Sequence, residues 1–141
     1  MKLPILLFLA LPAIAFGGFK LPGKVFEIAD LEKAKAEAAQ KGRPIAILLS
    51  NKDSTCPLCS GASETILREL GPKTVMVYVR DTAGLPPAAI EALSPGKYIP
   101  KVAVLDATLD QALGTVTYEA IKDDRQKAFR EVTKAIRGYK K

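Results

Sequence analysis

Ile45-Ala46-Ile47-Leu48-Leu49-Ser50-Asn51-Lys52-Asp53-Ser54-Thr55-Cys56-Pro57-Leu58-Cys59 joins an unbroken apolar run to a polar loop and two cysteines three apart. The run is too short for a helix between Gly42-Arg43-Pro44 and the loop, and it suits a central strand buried on both faces. The cysteines then open a helix. Pro57 is tolerated there because first-turn N–H groups have no intrahelical partner, and Ser54 or Thr55 can cap it. Gly71-Pro72 stops this helix near residue 70.

Upstream, Asp30 reads as a helix N-cap, with Leu31, Ala34 and Ala38 on one face and Gly42 as the stop, so a helix is expected over residues 31–41. Downstream, Thr-Val-Met-Val-Tyr-Val-Arg at 74–80 is rich in β-branched and aromatic residues and reads as a second strand. A short helix follows around 87–93. A third strand at 102–105 is entered through Ile99-Pro100, and a polar turn at 106–110 leads to a fourth at 114–118, the short connection implying an antiparallel hairpin. The last helix begins at Asp123 or Asp124 and lines up Ala128, Phe129, Val132, Ala135 and Ile136. The order predicts an α/β fold in which a mixed four-stranded sheet is flanked by helices on both faces.

The 141 residues carry a formal charge of +6. Met1-Lys2, the apolar stretch to Leu11 and Ala13-Ile14-Ala15 form a positive start, an apolar core and a small-x-small site, the pattern of a cleaved signal peptide over 1–15 with cleavage between 15 and 18. An uncut anchor is the alternative, although Pro4 and Pro12 interrupt a stretch shorter than the roughly 20 residues a span needs. Export to a periplasm or to the outside is the expected localisation, with membrane tethering if the signal stays. Residues 16–29 read as a loosely ordered leader, 30–137 as one domain and 138–141 as a basic tail. The basic residues after 125 are interleaved with carboxylates and lack an aromatic platform, which favours a solvated helix face over nucleic-acid binding.

Histidine and tryptophan are absent, which removes Ser-His and Cys-His nucleophile pairs and imidazole metal sites. Cys56 and Cys59 are the soft, redox-active pair. A thiolate is the reacting species, and the free N–H groups and partial positive charge of a helix start stabilise it. Cys56, nearer the end, is the attacking sulfur, and Cys59, one turn in, the resolving one. A tetrahedral zinc would lack two ligands, so no metal or other cofactor is expected.

The helix ending Gln40-Lys41-Gly42-Arg43-Pro44, the apolar strand, the loop, Cys56-Pro57-Leu58-Cys59 and the distal Ile99-Pro100 before a strand together resemble the thioredoxin superfamily, specifically its exported thioredoxin-like members. The likeness spans about residues 30–136. It implies a thioredoxin-like fold, a disulfide oxidoreductase acting as a monomer on client proteins with disulfides or thiols, and a membrane electron donor to sustain reduction outside the cytoplasm. It implies a cis-proline role for Pro100, backbone pairing with substrate for Ile99, and a substrate-facing position for Pro57 and Leu58. Thr55 stands where the family usually has tryptophan, and Pro57-Leu58 replaces Gly-Pro. Ser50 falls where a buried aspartate helps to deprotonate the resolving cysteine, leaving Asp53 or Glu64 as substitutes. Leu58 offers no charge or hydrogen bond to a thiolate, which implies a potential toward the reducing end of the window of about −120 to −270 mV.

Two alternatives stay open beside that expectation. Cys56 and Cys59 form a structural disulfide, although so short a loop is a poor staple, or the chain is a non-catalytic binding or redox-sensing adaptor. Tyr78 and Tyr98 are candidates to line a groove or to pack as core or rim. Lys52 and Lys101 are candidates to favour a thiolate or to be plain surface lysines.

Overall fold

The computed structural model describes residues 18–139. The expected signal segment 1–15 and its cleavage site lie outside the described residues, as do positions 140–141 of the tail. Five strands form one mixed sheet: β1 (Phe26–Glu27), β2 (Ile45–Leu49), β3 (Val75–Val79), β4 (Lys101–Leu105) and β5 (Ala112–Thr117), in the order β1-β3-β2-β4-β5. β1 and β2 run parallel to β3, whereas β4 is antiparallel to both β2 and β5. Five helices accompany them among the described residues: α1 (Leu31–Lys41), α2 (Pro57–Leu70), α3 (Pro87–Ala92), α4 (Tyr118–Asp123) and α5 (Arg125–Arg137).

β2, β3 and β4 are buried at every position. The pleat sends alternate side chains to opposite faces, so Ile45, Ile47 and Leu49 meet Ala34 and Ala38 of α1 and Ala89 and Ala92 of α3. Ala46 and Leu48 meet Ile66, Leu67 and Leu70 of α2 and Phe129 and Val132 of α5 on the other face. An apolar strand with no polar alternation is the sequence consequence of having helices on both sides. The charged residues Arg125, Lys127, Arg130, Lys134 and Arg137 of α5 are exposed.

Several expectations are corrected. The sheet has a fifth strand because Phe26 and Glu27 pair with Val77 and Tyr78. The leader is not loose in its described part: Gly18 N–H donates to Ser54 O (2.7 Å), Phe19 N–H donates to Lys52 O (3.1 Å), and the Phe19 ring is buried edge-on against Tyr78 at 6.4 Å. Gly18 has φ +83°, and a Cβ there would stand 2.2 Å from Lys52 O, so only glycine lets this segment lie so close to the loop. Asp30 makes no side-chain cap bond; it pairs instead with Lys33 at 3.4 Å. The fourth strand ends at Thr117, which caps the unforeseen α4 through Ala120 N–H (3.2 Å), and α5 starts at Arg125 with Asp124 as its cap, accepting from Lys127 N–H (3.1 Å).

Candidate functional site

The cysteine pair stands where β2 runs out into α2. The polar loop 50–55 is tied at several points. Ser50 N–H donates to Val79 O (3.1 Å), Lys52 N–H to the Tyr78 hydroxyl (2.9 Å), Asp53 N–H to Asn51 Oδ1 (3.0 Å) and Ser54 N–H to Asn51 O (3.1 Å). Ser54 Oγ accepts from Cys56 N–H at 3.1 Å. The expected cap is therefore displaced by one or two residues: neither Ser54 nor Thr55 caps α2. Cys56 is itself the N-cap, in extended conformation, and its sulfur accepts from Cys59 N–H at 3.2 Å, while Pro57 fills the first helical position.

Both thiols are free and half-buried. Hydrogen bonds from the Cys59 thiol, the Cys59 amide and the Leu58 amide hold the Cys56 thiol below its ordinary pKa against a desolvation effect of opposite sign. Cys59 is pushed up, first because its thiol is the donor in that bond, then by desolvation and by the charge on Cys56. The outer sulfur is therefore the one ionised first, and the inner one keeps its proton. The Leu58 side chain is 68 % exposed and offers no polar group, yet its backbone amide contributes to the thiolate.

Beneath the pair lies a hydroxyl chain that sequence reasoning missed. Ser50 is buried and its Oγ lies 2.7 Å from Ser63 Oγ; Ser63 in turn donates to Cys59 O at 3.0 Å. A hydroxyl has one proton to give, so Ser63 spends it on the carbonyl and Ser50 donates to Ser63. Neither proposed acid takes this position. Asp53 points to Arg80 at 3.5 Å, and Glu64 is exposed. The Ser63 link had a faint sequence signal, a hydroxyl four residues after Cys59 on the buried stripe of α2.

Other candidates separate as follows. The Ile99–Pro100 peptide is cis; Pro100 is buried and Ile99 is 37 % exposed. The register Leu49↔Lys101 puts Pro100 at the end of β2 from which the cysteine loop departs. Tyr78 is core, with its hydroxyl holding the loop, whereas Tyr98 is 53 % exposed and meets Tyr118 edge-on at 6.3 Å. Lys52 pairs with Glu27 (3.5 Å) over the Tyr78 ring, and Lys101 is buried against Pro95 O and Gly96 O; neither is among the groups that shift the two thiols. Among the described residues no group of three or more Cys, Asp or Glu could hold a metal, and no helix is long and apolar enough to cross a membrane. The chain matches no protein-family model and no curated protein.

Proposed function

We propose that the chain is an exported, thioredoxin-like thiol-disulfide oxidoreductase that reduces or exchanges disulfides of client proteins through Cys56 and Cys59. The observation that carries this reading is that Cys56 caps the start of α2 with its sulfur accepting from the amide of Cys59, one turn in, at 3.2 Å, an arrangement in which the outer thiol is lowered and the inner one raised. A lowered outer thiol suits a nucleophile, and an inner thiol that keeps its proton suits a resolving partner.

The step balances without a cofactor. The Cys56 thiolate attacks one sulfur of a client disulfide, a Cys56–client bond forms, and the client's other sulfur leaves as a thiolate. Cys59 then gives up its proton to solvent and attacks Cys56 Sγ, releasing the second client thiolate and forming Cys56–Cys59. Two electrons pass to the client, and a donor dithiol, expected to belong to a membrane electron carrier, supplies two more, becoming a disulfide as it reduces Cys56–Cys59 back to thiols. With the Cys59 thiol raised and no carboxylate among the groups that act on it, resolution is the step that waits on a base. Pro57, Leu58 and Ile99, which are exposed, form the surface against which the client is received in this reading, and the buried Pro100 sets Ile99 from behind.

A Cys59→Ala variant offered a disulfide-bonded protein such as insulin is expected to accumulate a mixed disulfide through Cys56, and Cys56→Ala none. Absence of the adduct, together with a Cys56–Cys59 state that does not respond to glutathione buffers, would leave the adaptor reading in its place.

A further inference from the structure

Residues 94–99, which lead into Pro100, have no regular structure, yet four of their backbone groups are taken up by two charged side chains. Glu119 Oε1 accepts from Lys97 N–H at 2.6 Å and from Tyr98 N–H at 3.0 Å. Lys101 Nζ donates to Pro95 O and to Gly96 O, each at 2.9 Å. The carboxylate therefore holds the amides of one half of the loop and the ammonium holds the carbonyls of the other.

The sheet brings these two side chains together. Lys101 opens β4 and pairs with Thr117, the last residue of β5, and Glu119 follows two residues later in the first turn of α4. α4 also touches α2, the helix that begins at the cysteines. Lys101 is only 6 % exposed, and a buried ammonium is tolerated when its protons are used. Gly96 has φ +82°, and a Cβ there would stand 2.9 Å from Glu119 Oε2 and 3.0 Å from Thr117 Cγ2, so the loop lies against this acid with no space for a side chain. Tyr98, the last residue held, and Ile99, the next, are exposed and are the residues this arrangement presents.

We propose that Glu119, working with Lys101 through the backbone of residues 95–98, is a positioning residue that sets the Tyr98–Ile99 edge for an incoming client chain, a role that rests on the oxidoreductase reading. A surface loop left free would have to be ordered at each encounter, and a loop already fixed spares the complex that loss. Glu119 touches neither sulfur, so its contribution is to the binding of an extended chain rather than to the exchange of electrons.

The test compares two substrates in the full chain: insulin, which must lie along the edge, and hydroxyethyl disulfide, which is too small to need it. Glu119→Ala is expected to raise KM for insulin about tenfold, the effect of losing one to two hydrogen bonds, with kcat and the rate on hydroxyethyl disulfide unchanged. Glu119→Gln, whose amide oxygen still accepts, is expected to recover most of the loss. If Glu119→Ala does not fold, a KM for insulin raised about threefold in Glu119→Gln, the weakening expected of an uncharged acceptor, still supports the role, and an unchanged one overturns it. Equal loss on both substrates, or none on either, overturns the positioning role. Wild-type protein inert toward hydroxyethyl disulfide overturns the oxidoreductase reading itself, and this role with it.

Discussion

At the residue scale the two thiols bias stability in opposite directions as pH changes. Cys56 is depressed in the folded protein, so between its folded pKa and the ordinary thiol value of about 8.5 the unfolded chain binds more protons and stability rises with pH. Cys59 is raised, so above about 8.5 the folded chain keeps a proton the unfolded chain has lost, and stability falls as pH climbs toward the folded Cys59 value. The cysteine contribution is therefore expected to peak near the ordinary thiol pKa. Urea denaturation of the reduced protein across pH, with a Cys56→Ala/Cys59→Ala variant subtracted to cancel lysine and tyrosine titration, checks it; a monotonic difference would contradict the assigned directions. The candidate residues were legible in the sequence because spacing and Pro57 are local signals. The Ser50–Ser63 chain was not, since its members are thirteen positions apart and a serine on a buried stripe announces no partner. Glu119 was invisible for a similar reason: the amides it serves lie more than twenty residues upstream.

At the level of elements, local punctuation located α1, β2, α2, β3 and α3 to within a residue or two, because Gly, Pro and apolar runs bound each of them. β1 escaped because two residues carry no periodicity, and only the distant Val77 and Tyr78 make them a strand. α4 escaped because six residues of mixed character follow a strand without a break other than Thr117. The segment before β1 depends on Gly18. Gly18→Ala puts a methyl group against Lys52 O in a backbone conformation that alanine resists, and the expected cost is about 1–3 kcal/mol. The change should also expose the bonds near residues 18–25 to limited proteolysis while leaving α5 intact. An unaltered cleavage pattern would mean that the apolar packing of Phe19, Leu21 and Val25 holds the segment without Gly18.

For the whole molecule, the two apolar layers share β2, β3 and β4, so neither can come apart without exposing the underside of the other. Ile47→Ala and Leu48→Ala remove neighbouring side chains on opposite faces, both fully buried. Each is expected to cost about 2–5 kcal/mol and to shift one cooperative transition, with far-ultraviolet circular dichroism and tyrosine fluorescence moving together. Tyr78, one of the four tyrosines, lies in the α2/α5 layer, so the second probe includes a report from that side. Separated transitions in the Ile47 variant would show that the layers melt independently. The mixed sheet with helices on both faces was readable from the alternation of elements, since a strand apolar at every position demands cover on each side.

The sulfur that closes the first turn of α2 is also the atom a reagent would reach, and this ties covalent state to helix order. As a thiolate it is a full acceptor for the Cys59 amide; once bonded to another sulfur or alkylated, it is a poor one, and that amide is left facing water. Isotope-labelled Cys59 would then serve as a built-in gauge, its solvent exchange quickening with either modification and slowing again on reduction only where the modification was a disulfide.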